Sequence, residues 1–261
     1  VTVFQEHRAR KRFGQNFLVD DNVIRAISRA VHATAEDALI EIGPGQGALT
    51  AALLDDCPSL QVVELDRDLI PLLRDRFSGF ADFKIHEGDA LNFDFASLSK
   101  GRDLRIVGNL PYNISTPLIF RLLELETRVR DMHFMLQKEV VERLAASANT
   151  KSYGRLSVMA QYHCSVESLF DVEAHSFQPA PKVRSAVVRL QPYPAPPNPA
   201  ENYVYFSEVV KLAFQQRRKT LRNALKSKLE SSPGSTDIDL SRRGESLTVR
   251  EFVKLSNDLN S

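Results

Sequence analysis

The first part of the chain alternates short apolar runs with stretches whose apolar residues recur at helical spacing, and this alternation sets the class of fold. Runs at 38–42, 60–65, 83–86, 104–107 and 132–136 have the length of buried strands, while 48–54 and 69–77 carry the helical period. Strands joined this way lie parallel, with helices on both faces of the sheet. Residues 156–166 and 185–190 read as longer strands without an intervening helix, so the sheet is expected to end in antiparallel strands. Five prolines between Pro192 and Pro199 exclude a helix or a central strand there and mark a domain boundary. The expectation is an α/β catalytic domain over 1–191 and a small helical domain over 200–261. In the latter, Phe214, Leu221, Leu225 and Leu229 fall on one helical stripe beside a basic ridge of Lys219, Arg222 and Lys226.

The first strand runs into "GPGQG", in which Gly43, Gly45 and Gly47 precede a helix at Ala48. Glycines at a strand-to-helix turn let a ligand lie against bare backbone near helix N-terminal amides. Glu64, about 20 residues on, stands where an acidic side chain accepts from ribose hydroxyls. Together they point to a nucleoside cofactor, although the spacing also fits a dinucleotide. Asp89 in "HEGDAL" reads equally well as an acceptor for a cofactor adenine amine and as a cap. Asp66 and Asp68 read as surface or capping residues.

At the end of the fourth strand stands "VGNLPYN". The Asn109 side-chain carbonyl and the Leu110 main-chain carbonyl can face one point, because Pro111 restricts both its own backbone and that of Leu110. Two fixed acceptors suit an NH2 group, and Tyr112 offers a flat face on which a base can stack. The lone pair of an aromatic amine is delocalised into its ring. Acceptors gripping both N–H bonds favour the pyramidal nitrogen that attacks a methyl donor and stabilise the charge that develops on it. No His or Cys nucleophile is then required.

Composition narrows the remaining possibilities. Cys57 and Cys164 are too few for a disulfide scaffold, and the six histidines lack ligand spacing, so no metal is expected. No apolar run is long enough to span a bilayer, and the N-terminal stretch lacks a signal-peptide core, which gives no membrane association and a cytoplasmic location as expectations. The net charge of +1 does not announce a nucleic-acid binder, but residues 8–12 hold four Lys or Arg and 211–228 hold seven with no acidic residue.

In order along the chain, "RKRFGQNFL", "EIGPGQG", "ELD", "GDAL", "GNLPYNIST", "LQKEVVERL", "YGRLSV" and "FQPAPKVRSAVVRL" resemble the KsgA-type small-subunit ribosomal RNA adenine dimethyltransferases. The resemblance runs from about Arg10 to Leu190 and continues more weakly through "FQQRRKTLRNAL"; no family pattern covers 231–241. It implies a Rossmann-like methyltransferase sheet, S-adenosylmethionine as donor, and dimethylation of two adjacent adenosines near the 3′ end of small-subunit rRNA in an immature 30S-type particle, with a role in ribosome biogenesis. A monomer suffices. It further implies that Asn16 and Leu18 line the cofactor site, Gly43 faces the methionine portion, Glu64 holds the ribose, and Asp89 meets the adenine. Asn109 is then shared between cofactor and target, and Phe177 lies opposite Tyr112 so that a flipped base is sandwiched. Arg217, Arg218, Lys219, Arg222 and Lys226 would face RNA. From the residues alone, Phe177 reads as a core anchor.

Three other readings compete. The large-subunit resistance dimethyltransferases resemble the chain around "QNFL" and "PYNIST", but "GNLPY" and "LQKEVVERL" favour the small-subunit enzymes. A nonenzymatic RNA-binding assembly or transcription factor on the same fold has no need of an intact Gly43, Glu64, Asp89, Asn109 and Tyr112. A nicotinamide oxidoreductase has no use for "NLPY".

Overall fold

A computed structural model of the chain describes residues 15–125, 128–231 and 234–260; the basic cluster at 8–12 lies outside them. In chain order the strands are β1 (Phe17–Leu18), β2 (Ala38–Ile42), β3 (Gln61–Glu64), β4 (Lys84–Glu87), β5 (Leu104–Asn109), β6 (Val129–Gln137), β7 (Cys164–Val172), β8 (Phe177–Gln178) and β9 (Ser185–Pro192). The helices are α1 (Asp21–Val31), α2 (Ala48–Asp56), α3 (Leu69–Arg76), α4 (Ala96–Ser99), α5 (Ser115–Leu123), α6 (Lys138–Leu144), α7 (Arg155–His163), α8 (Tyr203–Gln215), α9 (Leu221–Ala224), α10 (Lys226–Ser231) and α11 (Val249–Asn260).

Seven strands form one sheet in the order β4-β3-β2-β5-β6-β9-β7, while β1 and β8 make a separate two-stranded ladder. Strands β2 to β6 pair in parallel, and β9 returns antiparallel to β6. Because β3 lies on one side of β2 and β5 on the other, the chain reverses its direction of travel across the sheet at β2. In such sheets ligands bind beyond the strand ends at that point. Every residue of β2 and β3 is buried, which agrees with continuous apolar runs rather than alternation.

Two expectations about this sheet are corrected. Residues 156–166, read as a strand, form α7 and only the start of β7. The Ser157 hydroxyl accepts from the Gly154 amide at the start of α7, and Val158, Met159, Ala160 and Tyr162 bury its apolar side. A short apolar run of this kind fits either element, and the cap decides for helix. The second correction concerns Gly108, which falls beyond the expected strand at 104–107 but lies inside β5. A Cβ there would stand 2.5 Å from the Ile42 carbonyl oxygen, so glycine lets β5 approach the end of β2 closely. Gly108→Ala is expected to destabilise the protein by about 1–3 kcal/mol, the typical overpacking cost; an unchanged denaturant midpoint would refute the steric argument.

The chain divides into two compact units, 1–138 with 167–191 and 139–166 with 192–261. The single cut expected at the proline stretch therefore captures only part of the division, because 139–166 groups with the C-terminal residues. In the first unit, α1 is capped by Asp20, whose carboxylate accepts from the Asn22 and Val23 amides, and it buries Ile24, Ile27 and Val31. In the second unit, Phe214 packs against Phe252 of α11 and edge-on against Tyr153.

The stripe from Phe214 to Leu229 is not one helix. The chain leaves α8 at Gln216, and residues 216–220 form a turn. Long-range bonds hold the break: the Leu221 amide donates to the Arg242 carbonyl at 2.7 Å and the Arg222 amide to the Leu240 carbonyl at 2.9 Å. Tertiary bonding outweighs the local period here. Within 234–241, the stretch without a family pattern, the Thr236 hydroxyl donates to Asp258 at 2.7 Å, and Asp237 pairs with Lys254 at 2.8 Å.

Candidate active site

The parallel strands β2 to β5 end together, and each contributes to the wall of one cavity of about 320 Å³. Gly43 and Gly45 follow β2, Glu64 closes β3, Asp89 follows β4, and Asn109, Leu110 and Tyr112 end or follow β5; Asn16 and Leu18 close it from the N-terminal side. The structure thus brings nine of the expected site residues to one surface.

Gly43, Gly45 and Gly47 all have left-handed backbone, with φ of 68°, 58° and 81°. That conformation is costly for a residue with a Cβ, and a Cβ on Gly45 would stand 3.0 Å from the Phe17 ring. Phe17 therefore leans directly on the turn. Glu64 is buried, and its two oxygens accept from the Gly45 amide at 3.2 Å and the Asp66 amide at 2.8 Å. Burial pushes its carboxyl pKa upward against those amides. A carboxylate has about four lone-pair sites, so these amides do not exhaust its capacity to accept from a hydroxyl.

Asp89 is occupied within its own turn, accepting from the Leu91 amide at 3.0 Å and the Asn92 side chain at 2.9 Å. It serves as an Asx turn and lines the cavity as well. Asp66 differs from the surface reading: it is 2% exposed, lines the cavity, and accepts from Gln15 at 3.0 Å and from the Asp68 amide at 3.2 Å. Sequence reasoning missed Gln15 and Asp66 because a polar residue after a strand carries no mark of burial. Asp68 is exposed, as expected.

Asn109 supplies the decisive orientation. Its Nδ2 donates to the Asn16 carbonyl at 3.0 Å, which leaves Oδ1 as the end able to accept. The Leu110 amide is spent on the Met135 carbonyl at 3.2 Å, which fixes the peptide that carries the second acceptor. Asn16 is itself held in place: β1 pairs with β8, and the neighbouring Val19 amide donates to the Ser176 carbonyl at 2.9 Å.

Phe177 departs from the expected sandwich. It is 4% exposed, pairs with Leu18, and belongs to the core with Met135 and Val187 rather than to the cavity wall. An aromatic side chain in a short ladder beneath the wall is better satisfied by apolar packing than by solvent. Tyr112 is half-buried on the wall, which Phe17 also lines beside the glycine turn.

Glu41, unmarked as a site residue by its local sequence, is 2% exposed in β2 and accepts from the Thr50 hydroxyl at 2.6 Å. Burial pushes its carboxyl up to about 8. The folded state then holds a proton that the unfolded chain has released above its ordinary value of 4.5. Its stabilising contribution is full below that value and is lost as pH rises through about 8. Over that window stability should fall by about 1.4 kcal/mol per pH unit from this group. Melting curves of wild type and Glu41→Gln between pH 5 and 8 test this: the wild-type slope should be the steeper, and parallel curves would refute it.

On the second unit, Arg218, Lys219, Arg222 and Lys226 are exposed, but they do not share a helix: Lys219 lies in the turn, Arg222 in α9, and Lys226 opens α10. Arg217 has a bracing role. Its guanidinium donates to the Lys151 and Tyr153 carbonyls at 2.8 and 3.1 Å and lies 3.4 Å from Glu245. Lys226 lies 3.7 Å from Glu230 in an exposed i,i+4 pair. Among the described residues no three His, Cys, Asp or Glu side chains come together to hold a metal ion, and no helix is long and apolar enough to cross a membrane.

A cradle of left-handed glycines, a buried carboxylate at the next strand end and an oriented carboxamide above it can be compared with known proteins. The profile described as "Ribosomal RNA adenine dimethylase" matches residues 6–260. The chain belongs to that family. It is a methyltransferase, and N6,N6-dimethylation of adjacent rRNA adenosines is the activity of its family. A protein of Saccharophagus degradans named "Ribosomal RNA small subunit methyltransferase A" is 59% identical over 98% of this chain and 96% of its own length. A protein of the same name from Pseudomonas aeruginosa is 57% identical over 97% and 96%. Among solved structures, a dimethyladenosine transferase from Plasmodium falciparum superposes with a TM-score of 0.78 at 26% identity, covering 92% of this chain and 95% of that one. The 23S rRNA methyltransferase ErmE, at 22% identity, shares the fold, with a TM-score of 0.73 over 94% of this chain and all of that one.

Proposed function

We propose that the chain dimethylates the N6 amines of two adjacent adenosines near the 3′ end of small-subunit rRNA, within an immature 30S-type particle, using S-adenosylmethionine. It works as a monomer in the cytoplasm, where that particle is assembled. The observation that carries this reading is the Asn109 carboxamide, tethered through its nitrogen so that its oxygen can accept. The similarity to proteins named small subunit methyltransferase A favours the small subunit over the large one.

The residues present fit the donor. The bare turn at Gly43 and Gly45 leaves room for a methionine portion, Glu64 keeps lone pairs for ribose hydroxyls, and Asp89 stands on the wall where an adenine edge would lie. S-adenosylmethionine bound there supplies an electrophilic methyl group on a sulfonium sulfur. Asn109 Oδ1 and the Leu110 carbonyl accept the two N–H bonds of the target amine, which draws its lone pair out of the ring and stabilises the positive charge that develops on nitrogen. The methylated ammonium is acidic enough to give its proton to water, so no strong base is needed. Tyr112 receives the ring of an adenine withdrawn from its stack, which offsets part of an unstacking cost of a few kcal/mol.

The test is incubation of the protein with labelled donor and either immature small subunits or naked large-subunit RNA, followed by nucleoside identification. N6,N6-dimethyladenosine in the small-subunit RNA is expected, and label confined to the large-subunit RNA would overturn the assignment. Arg218, Lys219 and Arg222 are proposed to contact phosphates. Each replacement by alanine should weaken RNA binding across sequences and reduce the salt slope by about one. An unchanged slope would return these cations to an ordinary solvated surface.

A further inference from the structure

Tyr112 is pinned at both ends. The Ser115 hydroxyl, itself buried, donates to the Tyr112 main-chain carbonyl at 3.2 Å. At the far end of the ring, the phenol oxygen lies 2.9 Å from the Ser185 hydroxyl. Ser185 opens β9, is fully buried, and stands opposite Gln137 in the antiparallel pairing of β9 with β6. A half-buried tyrosine on a cavity wall has no need of a protein partner, because water can serve its hydroxyl. Burying a serine completely incurs a desolvation penalty that its hydrogen bond must offset. The bond also restrains swing of the ring away from the wall, a freedom that a planar ligand would otherwise have to quench on binding.

We propose that Ser185 is a positioning residue for methyl transfer, holding the Tyr112 ring from β9 in the orientation that receives the target base. This rests on the reading of Tyr112 as the face that meets that base. The bond ties the platform to the same sheet whose β5 end carries Asn109, so platform and acceptors are registered on one rigid element. Ser185 touches neither substrate nor donor in this scheme, and its effect passes through the phenol.

The experiment is a double-mutant cycle on methyl transfer to immature small subunits. Ser185→Ala and Tyr112→Phe should each lower kcat by about 5- to 20-fold, the scale of one lost hydrogen bond. The double variant should be no worse than the more impaired single variant, since both remove the same contact. Ser185→Thr, which keeps the hydroxyl, should recover most of the rate. A purely structural role would lower the melting temperature and give losses that multiply in the double variant, and that pattern would overturn the proposal. If Ser185→Ala fails to fold, Tyr112→Phe decides alone, and a wild-type kcat in it would also overturn the proposal. Failure of the underlying reading looks different: Tyr112→Ala would then turn over like wild type, whereas a failed anchor leaves Tyr112→Ala inactive with Ser185→Ala unimpaired.

Discussion

Asn109→Ala is expected to lower kcat for methyl transfer by about 10²- to 10³-fold, the scale seen when one preorganised polar group is removed from a developing charge. Donor affinity, measured by calorimetry, should change by less than about tenfold, since the glycine turn and Glu64 remain. The sharper test is Asn109→Asp. If position 109 needed only an acceptor, aspartate would serve as well as asparagine. The carboxamide, however, is oriented by Nδ2 donating to the Asn16 carbonyl. A carboxylate oxygen placed there would face another acceptor and be repelled, turning the side chain away from the target. Asn109→Asp should therefore be about as inactive as the alanine variant, and substantial turnover in it would show that the Asn16 tether does not set the geometry.

The parallel order of the sheet and the grouping of Gly43, Glu64, Asp89 and Asn109 at one edge were legible in the sequence because each closes or follows an expected strand, and the ends of parallel strands meet on one side by topology alone. Burial of polar groups was not legible. Asp66 and Glu41 are buried by partners from elsewhere in the chain, Gln15 and Thr50, and nothing local distinguishes them from surface acids. Gly108 falls beyond the apolar run at 104–107 yet lies within the strand, where it admits the Ile42 carbonyl, a contact between strands far apart in sequence. The basic ridge failed for a related reason: its spacing is helical, but amides at 221 and 222 find carbonyls at 242 and 240 and break the helix. The resemblance placed Phe177 against Tyr112, whereas the residue-by-residue reading as a core anchor matches its burial.

The largest effect on stability is expected at Arg105, four residues before Asn109 on β5. Its guanidinium meets Asp131 at 2.8 and 2.9 Å, Asp37 at 2.9 Å and the His32 carbonyl at 3.1 Å, and it also donates to the Val31 carbonyl. The last two are carbonyls at the C-terminal end of α1, so one planar fork joins that helix to β5 and β6. Five N–H donors in fixed geometry suit such a site, and lysine cannot reproduce them. Burial alone would raise the Asp37 carboxyl, yet the Thr34 amide and Arg105 hold it below its usual range. Arg105→Leu strips the guanidinium from Asp131 and from two carbonyls, while Asp37 keeps only Thr34 and the exposed Arg130 as partners. Loss of one member of such a set typically costs about 3–5 kcal/mol. Arg105→Lys should be intermediate. Denaturant unfolding measures both, and a loss under about 1 kcal/mol for the leucine variant would refute the assignment. A second reading comes from His133, whose imidazole burial pushes down to about 4, with the Arg105 charge adding to the depression and Asp131 opposing it. With the guanidinium gone and Asp131 still ionised, the His133 titration should move upward, which NMR of the ring follows directly. A titration that stays in place would mean that the surviving carboxylate had turned away from the imidazole.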